Sequence, residues 1–193
     1  MINKYNGAKA EKIISNAQLP AGGYVVKVMG KPRIESYSWG DVLIIPIDVA
    51  EGEQTGFYKK QYDNNTNEDR KWKGTFRINI PDENNQYFES QKRSFNNMIY
   101  AFESSNNGFT FDWDEQKLNG KIVGMLFRNK EWEKDGKTGW FTEAGGVTDV
   151  QSIRENAYKP LADKPLKNGS STTTNNNQSS DFTDVPLDDD LPF

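Results

Sequence analysis

A run of thirteen residues, Asn168 to Ser180, contains only Asn, Gly, Ser, Thr and Gln. Without apolar side chains, this stretch cannot bury enough surface to offset the entropy lost on ordering, so the sequence predicts a flexible tether. Any folded body must therefore lie before it, and 167 residues are enough for one domain with its own core.

Composition restricts the chemistry that this body can perform. The chain contains no Cys and no His, which excludes disulfides, thiolate chemistry and the commonest general base and transition-metal ligand. No apolar run approaches the ~20 residues that span a bilayer, and the N-terminus lacks a signal-peptide core. We therefore expect a soluble, cytoplasmic protein without metal or cofactor.

The negative charge of the chain is confined to its end. Residues 168 to 193 hold five Asp and no Lys, Arg or Glu. Of 28 acidic and 24 basic residues, 23 acidic and all 24 basic ones thus precede residue 168, so the body carries about +1 while the whole chain carries -4. The body is nearly neutral and the tail is acidic.

Alternating and β-branched segments predict a body made mainly of strands, with one helix. Apolar residues recur at helical spacing after Pro81, which predicts a helix from Asn84 to Ser104 that packs on the sheet. Pro46 predicts an edge or bulge. The predicted strands cover Tyr24 to Met29, Arg33 to Trp39, Val42 to Val49, a segment beginning within Phe57 to Tyr62, Trp72 to Ile80, Ile122 to Glu133, Thr138 to Thr142, and Val147 to Arg154.

The chain ends in three carboxylates and an apolar tip, Asp188, Asp189, Asp190, Leu191, Pro192 and Phe193. An aromatic side chain beside a C-terminal carboxylate can dock into a pocket rimmed with basic groups. This tip resembles the acidic C-terminus of the single-stranded-DNA-binding proteins of bacteria and phages, with leucine where that family commonly has isoleucine. The body looks more like the diverged phage members than like the ordinary bacterial protein.

This resemblance implies an OB fold, which is a five-stranded barrel with a helix between the third and fourth strands. The strand order suits that fold, although by itself it equally allows another small α+β barrel. The resulting prediction is an N-terminal arm over residues 1–18, an OB-type domain over 19–158, a flexible linker over 159–180 and an acidic partner-binding tail over 181–193. The oligomeric state stays open, a homo-oligomer included.

Single-stranded nucleic acid is bound by cations along its phosphates and by aromatic rings under its bases. Two segments supply both, and a patch near Arg33 adds two aromatic residues. In the second segment, alternate residues from Arg128 to Lys134 should project from one face of a strand. The predicted DNA-binding residues are Tyr37 and Trp39; Tyr58, Lys59, Lys60, Tyr62, Arg70, Lys71, Trp72 and Lys73; and Arg128, Lys130, Trp132, Lys134 and Lys137.

The sequence thus predicts a non-enzymatic protein that coats single-stranded DNA in replication, recombination or repair and recruits partner enzymes through its tip. The tail is also expected to compete with DNA for the basic groove. A protein-binding adaptor and a strand-annealing protein remain alternatives. A metal-dependent catalyst using Asp112, Asp114 and Glu115 is a weaker one, because these residues fit a solvated acidic loop.

Overall fold

The computed structural model describes residues 17 to 166. The predicted arm up to residue 16, and the tether and acidic tail from residue 167 onward, lie outside the described residues. The elements in chain order are β1 (Gly22–Val28), β2 (Arg33–Tyr37), β3 (Gly40–Val49), α1 (Phe57–Asn64), β4 (Thr75–Asn79), α2 (Phe88–Ser105), a 3-10 helix (Glu115–Leu118), β5 (Ile122–Lys134), β6 (Lys137–Thr148) and α3 (Val150–Arg154).

The strands form one six-stranded sheet in which all the neighbouring strands are antiparallel. Its order is β2-β3-β1-β5-β6, and β4 pairs with β3. The prediction of a mainly β protein with few helices is confirmed. β4 and β6 approach to Cα–Cα distances of 8 Å or less, but no backbone ladder joins these two described strands, so the sheet is open there.

β1 and β2 pair one after the other with β3, as two parts of one interrupted strand. Val28 lies opposite Ile47, and Arg33 lies opposite Ile44. The interruption contains Gly30, whose φ of 95° is accessible to glycine at no steric cost. β3 therefore spans the sheet, with β1 at its C-terminal end and β2 and β4 at its N-terminal half.

The core lies between the curved sheet and α2. Phe76 and Ile78 alternate along β4 and are buried. The helical stripe is also buried, so the predicted helix is confirmed, although it begins at Phe88 rather than Asn84. The Asn97 amide donates to the backbone carbonyl of Val147, which ties α2 to β6. α2 thus packs against the sheet, and in the chain it lies between β4 and β5.

Two of the predicted strands are wrong. The segment from Phe57 is helix α1, because Asp48 of β3 accepts hydrogen bonds from the first backbone N–H groups of that helix. The last strand ends at Thr148, because Asp149 caps α3 by accepting from the Ser152 N–H at 2.8 Å.

Candidate nucleic-acid interface

The β5–β6 hairpin carries one group of predicted DNA-binding residues on a single face. Arg128, Lys130, Trp132 and Lys134 lie opposite Glu143, Phe141, Gly139 and Lys137, respectively. Residues directly opposite each other in a ladder project to the same side. The predicted alternation along β5 is therefore confirmed, and it brings Lys137 onto the same face.

The charges on this face differ from base to tip. Arg128 is buried and its Nε donates to Glu143 at 3.1 Å. Lys130 Nζ lies 3.3 Å from the same carboxylate and 5.9 Å from the centroid of the Phe141 ring. Glu143 therefore offsets charge at the base of the hairpin, whereas Lys134 and Lys137 are exposed at its tip.

Trp132 lies against its glycine neighbour across the ladder. A Cβ at Gly139 would stand 2.8 to 2.9 Å from the indole, closer than real Cβ atoms approach. Only glycine therefore lets the Trp132 ring occupy this position. Trp140, 43% exposed, lies on the opposite face, so the hairpin carries an indole on each side.

The second group of predicted residues begins on α1. The buried Asp48 carboxylate accepts from the N–H groups of Val49, Tyr58 and Lys59 at 2.9, 2.8 and 3.2 Å. Tyr58 is itself buried, and burial, followed by the charge of Asp48, raises the pKa of its hydroxyl. Tyr58 therefore serves packing, while Lys59 and Lys60 are exposed on α1.

The loop after α1 folds back beside the helix. Arg70 lies 4.8 Å above the centroid of the Tyr62 ring. Trp72 Nε1 donates to the carbonyls of Ile47 and Gly74, so this indole is half-buried against the core. Lys71 and Lys73 are exposed. This group thus presents one aromatic ring, Tyr62, among several exposed cations.

A short segment before β1 joins these two groups. Gln61 of α1 donates to the Ala17 carbonyl at 3.1 Å, and the next residue, Gln18, donates to the Trp140 carbonyl at 2.6 Å. The α1 group and the hairpin therefore lie at the same end of the sheet. The sequence did not predict this contact, because the two glutamine side chains bond to backbone carbonyls, which leave no pattern in the sequence.

The third predicted group, Tyr37 and Trp39, lies on one face of the part of the sheet formed by β2, β3 and β4. Tyr37 and Trp39 stack with centroids 5.0 Å apart and an interplanar angle of 11°. Glu35 accepts from the Tyr37 hydroxyl at 2.5 Å and from Arg77 at 3.3 Å. The Tyr37 hydrogen bond, followed by the charges of Arg33 and Arg77, lowers the pKa of Glu35.

Arg77 is a candidate that the sequence interpretation missed. Its guanidinium donates to the Tyr37 hydroxyl at 3.0 Å, within the same network as Glu35. A signal was available, since the alternation in β4 that buries Phe76 and Ile78 points Arg77 to the other face.

The chain leaves the body beside the hairpin. Lys164 forms a parallel bridge with Lys130: its N–H donates to the Asn129 carbonyl at 2.8 Å, and its carbonyl accepts from the Glu131 N–H at 2.9 Å. Leu166 N–H donates to the Glu131 carboxylate. The first residues of the predicted linker, up to Leu166, thus lie along the edge of β5.

The carboxylates of the acidic loop between α2 and β5 have separate partners. Asp112 pairs with Lys117, and Asp114 accepts from the backbone N–H of Gln116. Within residues 17 to 166, no group of three or more His, Cys, Asp or Glu could hold a metal ion. The predicted partner-binding residues Asp188 to Phe193 lie outside the described residues.

None of the helices between residues 17 and 166 has both the length and the apolar composition needed to cross a bilayer. Neither a scan against protein-family models nor a search of curated proteins found a match to this chain.

Proposed function

We propose that this chain binds single-stranded DNA without sequence preference and recruits partner proteins through its acidic C-terminal tip. The observation that carries the proposal is the juxtaposition of the α1 group and the hairpin at one end of the sheet, through Ala17 and Gln18. Segments some 60 residues apart in sequence thereby lie close together and supply exposed cations beside aromatic rings, the two kinds of group that phosphate contacts and base stacking require.

The strand path supports an OB-type barrel as the scaffold. If β1 and β2 count as one interrupted strand, the chain has five strands and α2 falls between the third and fourth. The proximity of β4 and β6 is where such a barrel would close. The Tyr37–Trp39 stack and Arg77 would then lie on a strand face, adding a further stacking position.

The tail would act by tethering. Because residue 166 lies beside the hairpin, a flexible tether starting there would hold a partner near the bound strand and raise its local concentration. The five tail aspartates would also reach the same cations and compete with DNA. Deleting residues 181 to 193 is then expected to tighten DNA binding at low salt, and unchanged affinity would count against competition.

The test of DNA binding uses the exposed hairpin tip. Neutralising Lys134 and Lys137 with glutamine should weaken binding of an unstructured oligothymidine. If both contact phosphates, the slope of log K against log salt should become shallower by about 1.4, since each contact to a single strand contributes ~0.7. Fluorescence anisotropy of labelled oligothymidine at several salt concentrations measures both changes.

The matched control neutralises Lys92 and Arg93, two exposed cations on α2, and produces the same change in net charge. If both double variants lose affinity equally, binding follows net charge and the proposed surface is wrong. If the unaltered chain binds no oligothymidine, a protein-binding adaptor replaces the proposal. Accelerated joining of complementary strands in the same preparation would indicate an annealing protein.

A further inference from the structure

One loop away from the hairpin presents an exposed indole. Trp113, between α2 and the 3-10 helix, is 73% exposed, more than any other large apolar residue in the described part of the chain. One side of its ring stacks on Phe95, with centroids 6.2 Å apart and an interplanar angle of 6°. The other side faces solvent.

The backbone at this position is strained. Trp113 has a φ of 68°, a backbone angle that glycine adopts readily but that is unfavourable for a bulky side chain. Contacts on both sides of the loop hold it there: the Phe111 N–H donates to Glu103, and the Gln116 amide donates to the Pro32 carbonyl. Such strain persists only where the surroundings fix it, and it clusters at ligand-contacting sites.

This loop lies away from the hairpin and the α1 group. The hairpin extends from the start of β1, where Gly22 pairs with Phe127. The loop joins the other end, where Gly30 N–H donates to the Asn119 side chain. The seven residues of β1 separate these ends by roughly 20 Å.

The charges around Trp113 select the partner. Asp112, Asp114 and Glu115 lie within two residues of Trp113; Lys117, the single cation among residues 111 to 118, pairs with Asp112, so three acidic groups and one basic group leave a net charge of -2. This rim repels phosphate, which disfavours nucleic acid. A cation is attracted both to the carboxylates and to the open face of the indole.

We propose that Trp113 and its acidic rim form a docking surface for a basic protein segment, one in which arginine or lysine alternates with apolar residues. A preformed aromatic group of this kind concentrates binding energy, because little side-chain freedom is lost on docking. This surface contains no residue of the hairpin or of α1.

The test uses a fluorescent synthetic peptide that alternates leucine and arginine, with a glutamate version as the control peptide. The acidic tail could bind the same probe, so the full chain is used with its five tail aspartates changed to asparagine, at positions 181, 184, 188, 189 and 190. The arginine peptide should bind with saturable anisotropy, and the glutamate peptide should not bind.

Trp113→Ala should weaken peptide binding roughly tenfold or more, as loss of a central aromatic contact does. Glu115→Gln, which keeps the loop shape, should weaken it several-fold and reduce its salt dependence. Trp140→Ala removes another exposed indole and should leave peptide binding unchanged. Oligothymidine binding by Trp113→Ala should equal that of the unaltered chain, which verifies folding.

Equal peptide affinity of the unaltered chain and Trp113→Ala would overturn the proposal, as would an absence of peptide binding. Sedimentation could instead show that the unaltered chain self-associates and binds no peptide, and that Trp113→Ala no longer self-associates. That result would assign the surface to a second copy of the chain and would also overturn the proposal.

Discussion

The buried carboxylate of Asp48 should control both the stability of the body and the order of α1. It accepts three backbone N–H groups, from Val49, Tyr58 and Lys59, and it is 4% exposed. Replacing it with alanine leaves these donors without their acceptor. Unmade buried hydrogen bonds cost about 1–3 kcal/mol each, and removing the buried charge offsets part of that, so we expect Asp48→Ala to lose about 3 kcal/mol of unfolding free energy.

Asp48→Asn tests the same contact more gently. The amide oxygen can still accept from Val49 and Tyr58, but the amide nitrogen cannot accept from Lys59, so we expect a loss of about 1 kcal/mol. Asp41→Asn, at an exposed position of the same strand, should change stability by less than about 0.5 kcal/mol.

Urea unfolding followed by circular dichroism measures these losses, and hydrogen exchange locates them. The amides of Tyr58 and Lys59 should lose protection in Asp48→Ala before the amides of β1 do. If Asp48→Ala is as stable as Asp41→Asn, or if α1 keeps its protection, then Asp48 does not hold the helix and the account of α1 is wrong.

Three further predictions test local geometry. Gly139→Ala should displace the Trp132 ring, since its Cβ would lie 2.8 Å from that ring, and should weaken oligothymidine binding by about 1 kcal/mol in anisotropy assays. Gly74→Ala places a Cβ 2.3 Å from a backbone carbonyl and should lower stability by about 2 kcal/mol in urea unfolding. Tyr37→Phe should raise the lowered pKa of Glu35 toward its ordinary value of 4.5, as carboxyl NMR titration would report. A carboxyl group whose pKa is lowered by folding stabilises the fold at pH values above its ordinary pKa. The difference in unfolding free energy between Tyr37→Phe and the unaltered chain should therefore be full at neutral pH and shrink as acid protonates Glu35.

Much of the sheet follows from alternation in the sequence. β4 and the apolar stripe of α2 repeat with periods of two and 3.6 residues, and both elements form, although each is shorter than predicted. The face of the hairpin was also predictable, because a ladder fixes the parity of its side chains.

Elements whose partners are distant in sequence could not be predicted in this way. α1 has β-compatible residues such as Phe57 and Tyr58, but it is helical because Asp48 satisfies its first N–H groups. The pairing of Lys164 with Lys130 depends on backbone atoms and has no side-chain pattern. α3 did have a signal, since Asp149 precedes it as a helix cap.

The same distinction between local alternation and distant partners applies to the candidate interface. Alternation identified the cations of β5, but it did not reveal that Glu143 on the neighbouring strand pairs with both Arg128 and Lys130. Aromatic residues beside lysine were equally ambiguous, because Tyr58 is buried in the core, whereas Tyr62 and Trp72 are half-buried beside each other. Burial of an aromatic side chain is set by the fold and not by its neighbours in sequence.

Quenching of the five tryptophans by unlabelled oligothymidine tests the central claim most directly. Single-stranded DNA bound against indoles and cations should quench the emission to saturation at a fixed number of nucleotides per chain. The affinity should fall with salt, with a log–log slope between about -2 and -4 for three to six phosphate contacts. Unquenched emission together with no binding in low-salt buffer would contradict the account.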